Sequence, residues 1–312
     1  MEVYLKIKNK EYAIKLISNI LIGMQALKSN DISIDDIGDY EILNENIENS
    51  IKLVDSFKLF KLCVDIGKVI EIKLLNGQNG IKNKKVNVEE YYYENIKIAL
   101  KENIDEVVDK VTNFIDLYGY FTTSDICYGY DDVDEYGNEI NGYEHVFNLL
   151  DFVYFCYIVY EIIILFKSVK NYKPLKLSLL NSSYPLNVNK LNYKNDDEKT
   201  IIFDIIENKL NSLNVFDTKM EITIEKDYDK KNFFLERWKP IPLFSDPLSI
   251  CLYELKLQLS EDVQTSYCIC KNPYCNNFFI RENKNQDYCG EYECNCSRQN
   301  QRKDKQRRKQ GT

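Results

Sequence analysis

Apolar and charged residues alternate over residues 2–8 with the two-residue period of a strand. The pattern then changes to helical spacing over 11–27, where Ile14, Ile17, Ile20, Leu21 and Met24 share one face. Residues 46–69 repeat the helical pattern, 70–75 read as a strand, and Gly77 and Gly80 mark a loop. Residues 88–117 predict a long amphipathic helix with charged residues facing out, ended by Gly119. A polar, tyrosine-bearing loop over 122–142 leads to a second, more apolar helix from Tyr143 to about Lys170, and these two helices are expected to pack together.

After Tyr172 the chain becomes irregular to residue 199. A short helix over 200–213, an alternating strand over 221–225 and a further strand over 232–238 follow. Pro240, Pro242 and Pro247 then punctuate the entry to a helix over 248–260. The expected fold is mainly α with a small β component, an α+β arrangement in three consecutive segments. Residues 1–172 are mainly helical, 173–266 are mixed and end in a connecting helix, and 267–312 form a treble-clef-like four-cysteine zinc finger with a basic tail.

The most apolar stretch, 146–166, contains Asp151 and Glu161. Each would cost about 2.5–3.5 kcal/mol on insertion scales at the centre of a bilayer. A buried helix is expected, with no membrane partner. Residues 1–10 lack the continuous apolar stretch of a signal peptide, so a cytoplasmic location is expected.

Six of the 10 cysteines, Cys268, Cys270, Cys275, Cys289, Cys294 and Cys296, crowd into one short segment. Cys270 and Cys275 form a C-x4-C pair, 13 residues intervene, and Cys289 and Cys294 form a second pair. Two closely spaced pairs suit one structural zinc held by four thiolates, whose binding replaces the core that so short a segment cannot build. Cys268 and Cys296 each lie two residues from one of these ligands and compete with them for the four places. His145 is the single histidine, far away in sequence, so a histidine-containing finger is not expected. Cys63, Cys127, Cys156 and Cys251 stand in apolar surroundings and read as buried small hydrophobes.

The stretch CKNPYCNNFFIRENKNQDYCGEYECNCSRQNQRKDKQRR resembles the C-terminal zinc finger of bacterial CGNR-type proteins and related uncharacterised proteins. A C-x4-C pair there is followed by an aromatic, matched by Phe279. Another aromatic precedes the second pair, matched by Tyr288, and a basic helix follows the last cysteine. After Cys294 the family's Gly-Asn-Arg is replaced by Asn295, Cys296 and Ser297, with an arginine only at Arg298. The resemblance covers about 45 of 312 residues and implies a zinc-finger protein of the kind described as transcription regulators.

Of a net charge of −8, residues 297–312 contribute +6 and the rest −14. Arg298, Arg302, Lys303, Lys305, Arg307, Arg308 and Lys309 supply the tail's positive charge, and on a helix they would lie beside the zinc knuckle. The expected function is DNA or RNA binding through this tail, as a regulator or a factor associated with mobile elements or defence. The acidic N-terminal region is open to a protein partner. The alternative is an interaction or assembly factor whose finger is purely structural.

Enzymatic chemistry is not expected. One histidine excludes most triads, and the 11 glycines never reach P-loop or dinucleotide-binding spacing. Asp65 with Glu71 and Lys73 is the nearest approach to a metal-dependent nuclease signature, ahead of Asp246 with Glu254 and Lys256. An acidic run around Gly137 has tyrosines, Tyr136 and Tyr143, at two ligand positions of a calcium loop and reads as a surface turn.

Overall fold

A computed structural model gives the fold. It describes residues 2–7, 38–41, 50–76, 88–102, 104–119, 124–127, 143–171, 195–213, 220–228, 236–260, 267–272, 278–281, 286–291 and 294. In chain order these hold β1 (Glu2–Ile7), β2 (Gly38–Glu41), β3 (Ser50–Asp55), α1 (Ser56–Asn76), α2 (Val88–Glu102), α3 (Ile104–Tyr118), β4 (Ser124–Cys127) and β5 (Tyr143–Asn148). There follow α4 (Leu149–Asn171), α5 (Asp196–Ser212), β6 (Met220–Tyr228), β7 (Glu236–Phe244), α6 (Pro247–Ser260), β8 (Tyr267–Ile269) and β9 (Phe278–Ile280). The protein is mainly α with a small β component, as its periodicity predicts.

Four helices start where an Asp or Asn side chain accepts a hydrogen bond from an N–H of the first turn that has no partner inside the helix. Asp55 accepts from Phe57 N at 3.1 Å, Asn148 from Leu150 N at 2.8 Å, Asn195 from Asp197 N at 3.1 Å and Asp246 from Leu248 N at 2.7 Å. Pro247 opens α6, where its missing N–H costs nothing. Gly119 N donates to the Ile115 carbonyl at 2.7 Å and closes α3.

Several elements differ from their expected type. Residues 50–55 do not begin a helix: they pair with β1 as β3, turning Val54 inward and leaving Ile51 and Leu53 exposed. Residues 70–75, expected as a strand, complete α1, because Ile66, Ile70 and Glu71 continue its buried face. The helix expected over 88–117 is two helices, α2 and α3. The loop over 122–142 contains β4. Residues 143–148 form β5 between β2 and β4, which places His145 in mid-strand across from Glu41 and Asp125 instead of at a helix start. The helix expected over 11–27 lies outside the described residues.

The strand expected over 232–238 is β7, which begins later and runs through Pro240 and Pro242. It pairs with β6 along its length but with β1 only at Leu243 and Phe244. The prolines are two residues apart, so their nitrogens point to the same side of the strand. Proline has no N–H, so β7 donates no ladder bond from either position.

The chain forms two compact units. The first, Met1–Tyr160 with Asn211–Glu254, contains a mixed sheet of order β3-β1-β7-β6 and an antiparallel sheet of order β2-β5-β4. Phe114 of α3 meets Phe152 of α4 with ring centroids 5.1 Å apart, so these two helices pack together as expected. A Cβ on Gly67 of α1 would lie 2.4 Å from the Cys156 carbonyl oxygen and 2.6 Å from Tyr160 Cβ. Neither atom is the movable end of a side chain. Gly67→Ala is therefore expected to lower stability by about 3 kcal/mol through overpacking. The urea midpoint checks it, and an unchanged midpoint would contradict this close approach.

The second unit, Glu161–Leu210 with Leu255–Thr312, holds the rest of α4, most of α5, the end of α6 and the β8–β9 hairpin. α5 buries Ile202, Ile205, Ile206 and Lys209 on one face. Lys209 Nζ reaches Glu161 Oε2 at 2.6 Å, with both side chains almost wholly removed from solvent. Among the described residues, only the stretch Leu149–Lys170 of α4 is long and apolar enough to cross a membrane, and 83% of its most apolar window is buried in protein.

Candidate metal centre

β8 and β9 pair with Tyr267 opposite Ile280 and Cys268 opposite Phe279, and Cys270 follows directly after β8. A hairpin of three-residue strands is marginal in water on its own. Among the residues from 267 onward whose side chains are described, only Tyr267, Cys270, Asn272 and Cys294 are buried. Among these described residues apolar burial is small, and two of the four buried side chains are thiols.

The segment carrying Cys289 is fixed to the one carrying Cys270 by backbone and charge. Lys271 N donates to the Asp287 carbonyl at 2.9 Å, and Lys271 Nζ lies 3.1 Å from Asp287 Oδ1. Arg281 Nε donates to the Gln286 carbonyl at 3.1 Å, and its Nη2 lies 3.8 Å from Asp287 Oδ1. The ion pairs are half-exposed and contribute little by themselves; the backbone bond sets the alignment. Gly290 has φ +88°, a left-handed turn immediately after Cys289 that glycine adopts without strain.

Cys270, Cys289 and Cys294 come together, with their sulfurs all within 4.8 Å of one another. Cys270 Sγ and Cys294 Sγ are 3.7 Å apart. A disulfide needs about 2.05 Å. A tetrahedral zinc with Zn–S bonds of about 2.3 Å separates its sulfurs by about 3.8 Å. Three thiols so placed could hold a metal ion, and they fit a thiolate-bound one. Cys270 and Cys294 are sealed from solvent, whereas Cys289 is half-buried.

The structure thus brings together three of the four cysteines expected as ligands. Cys275, Cys296 and the tail cations Arg298, Arg302, Lys303, Lys305, Arg307, Arg308 and Lys309 lie outside the described residues. Cys268 is on β8, half-exposed. Asn272, which the cysteine spacing alone does not single out, is buried beside the site, and its Nδ2 donates to Cys294 Sγ at 3.5 Å. Nearby in the same unit, burial lowers the pKa of Lys167; the Cys268 thiol opposes this, and the positive charges of Lys170 and Arg281 add to it.

Cys63, Cys156 and Cys251 are fully buried in the first unit, as their apolar surroundings predict. They also lie close enough to one another to influence each other's ionisation. Burial pushes the Cys156 and Cys251 thiols well above the usual thiol value, and the nearby Cys63 adds to the rise. Such thiols stay protonated and unreactive.

The carboxylates considered for nuclease chemistry are engaged separately. Asp65 pairs with Lys61 on the exposed side of α1. Glu71 is buried and accepts a 2.6 Å hydrogen bond from the Tyr157 hydroxyl, and Lys73 lies 3.5 Å from Glu106. Asp246 caps α6, and Glu254 accepts a buried 2.7 Å hydrogen bond from Ser56. Neither set gathers at one point.

No protein-family model, no curated protein and no solved structure matches this chain.

Proposed function

We propose that Cys270, Cys289 and Cys294, with Cys275 as fourth ligand, hold one structural zinc, and that the finger and its basic tail bind nucleic acid. The observation that carries the metal is the 3.7 Å spacing of Cys270 and Cys294 among three converging thiols, close to the edge of a zinc–thiolate tetrahedron. Four thiolates would leave no open position for water, so the metal would fold the finger and catalyse nothing. Lys271 and Arg281 would offset part of the negative charge that four thiolates leave on such a centre. The resemblance of the cysteine segment to CGNR-type fingers supports the same assignment.

The seven tail cations are the reason to prefer nucleic acid as partner, since the rest of the chain is acidic. With three to five of them on duplex DNA, log affinity should fall against log salt with a slope of roughly −3 to −4.5. Filter binding with heterologous DNA and RNA, before and after chelation, measures this. A chain cut before Arg302 should keep its metal and lose most of the slope. Equal affinity and slope in the truncated chain would favour a protein-assembly role, the alternative in which the finger is only structural.

A further inference from the structure

The centre contains a polar group that is not a ligand. Asn272 lies two residues after Cys270, within the first C-x4-C pair, and its side chain is buried. A buried amide is costly unless its donors are used. Its Nδ2 reaches across to Cys294, a cysteine of the other pair, at 3.5 Å, within range for a hydrogen bond to sulfur.

We propose that Asn272 is a positioning residue for the metal: its N–H stabilises the Cys294 thiolate and fixes that sulfur in place before and after the ion binds. This rests on the metal centre proposed above. The three converging thiols are not alike. Cys289 is half-buried and has water to share its charge, whereas Cys294 is sealed, so a thiolate there depends on protein donors. A donor aimed at the sulfur draws off electron density without occupying a coordination position. Outer partners of this kind typically change metal affinity 10–100-fold. Asn272 also ties the two halves of the ligand set together, because it follows Cys270 and holds Cys294.

The test uses the full chain under reducing conditions, loaded with cobalt(II) in competition with a chelator. Wild-type protein should show a thiolate-to-cobalt charge-transfer band. Asn272→Asp keeps the shape of the side chain but replaces the donor with an acceptor, and Asn272→Ala removes both. Both variants should bind cobalt about 10-fold or more weakly. Their charge-transfer band should move to lower energy, because a thiolate without its hydrogen bond is easier to oxidise. Loss of packing alone would not move that band. Normal affinity and band position in Asn272→Ala would overturn the proposal even if Asn272→Asp were impaired, since repulsion by the new carboxylate would then explain the loss. A wild-type chain with no thiolate–cobalt band would overturn the metal centre itself and this role with it.

Discussion

Cys294→Ser should yield a chain that no longer retains zinc through purification, whereas the wild type carries one ion per chain. Structural zinc in small fingers contributes about 10–16 kcal/mol of apparent binding energy. An even share for one thiolate in four is about 3 kcal/mol, or on the order of 100-fold in affinity. Serine also puts a hydroxyl where a sealed sulfur stood, and it cannot match a thiolate as a ligand at neutral pH. Elemental analysis of the purified chain measures the outcome. Cys63→Ser is the control, because that thiol is buried in the other unit and should leave the zinc content unchanged. Equal zinc in Cys294→Ser, or a wild-type chain free of metal, would remove the centre. Cys275→Ser distinguishes the proposed fourth ligand from Cys268 and Cys296.

Lys209→Met should cost the folded state about 3–5 kcal/mol, the range found when one partner of a buried ion pair is removed. The reason is the charge left behind: Glu161 is wholly buried in the middle of α4, and Lys209 Nζ at 2.6 Å is its close cation. Methionine keeps the length and apolar stem of lysine, so lost packing contributes little. Glu161→Gln combined with Lys209→Met should recover a large part of the loss, since no unmatched charge remains. Denaturation followed by circular dichroism separates the cases. A single variant as stable as the wild type would mean that solvent reaches Glu161.

The sequence made some of these features legible and hid others for identifiable reasons. The alternation over Glu2–Ile7 is visible because the buried Val3 and Leu5 stand two residues apart, the period of a strand. Residues 143–148 mislead because a single polar residue, Asn148, separates Val146 and Phe147 from Leu149, so strand and helix read as one apolar stretch although that asparagine is the cap at which α4 begins. Their strand character depends on pairing with β4 and with β2, the latter far away in sequence. Residues 70–75 were hard for the opposite reason. Glu71 interrupts the apolar face, and the Tyr157 hydroxyl that makes its burial tolerable cannot be inferred from spacing. Lys209 belongs to the same class, a charge on an isoleucine face whose partner lies on another helix.

The candidate centre was easier to find because chelation by paired cysteines is a local property of the chain. Cys270, Cys289 and Cys294 follow from their spacing alone. Asn272 does not, since an asparagine between cysteines is usual in a turn, and its role depends on the fold that carries Cys294 to it. The three thiols of the first unit were correctly expected to be buried, but their closeness was not expected, because it depends on how α1, α4 and α6 are placed.

The two prolines of β7 also bear on where the mixed sheet is weakest. β7 is an interior strand, flanked by β1 and β6, and Pro240 and Pro242 have no N–H to give to either neighbour. The pairing with β6 extends over nine residues, whereas that with β1 is made at Leu243 and Phe244 alone. A sheet that opens should therefore part first along the β1–β7 seam, leaving β3–β1 and β7–β6 as its two halves.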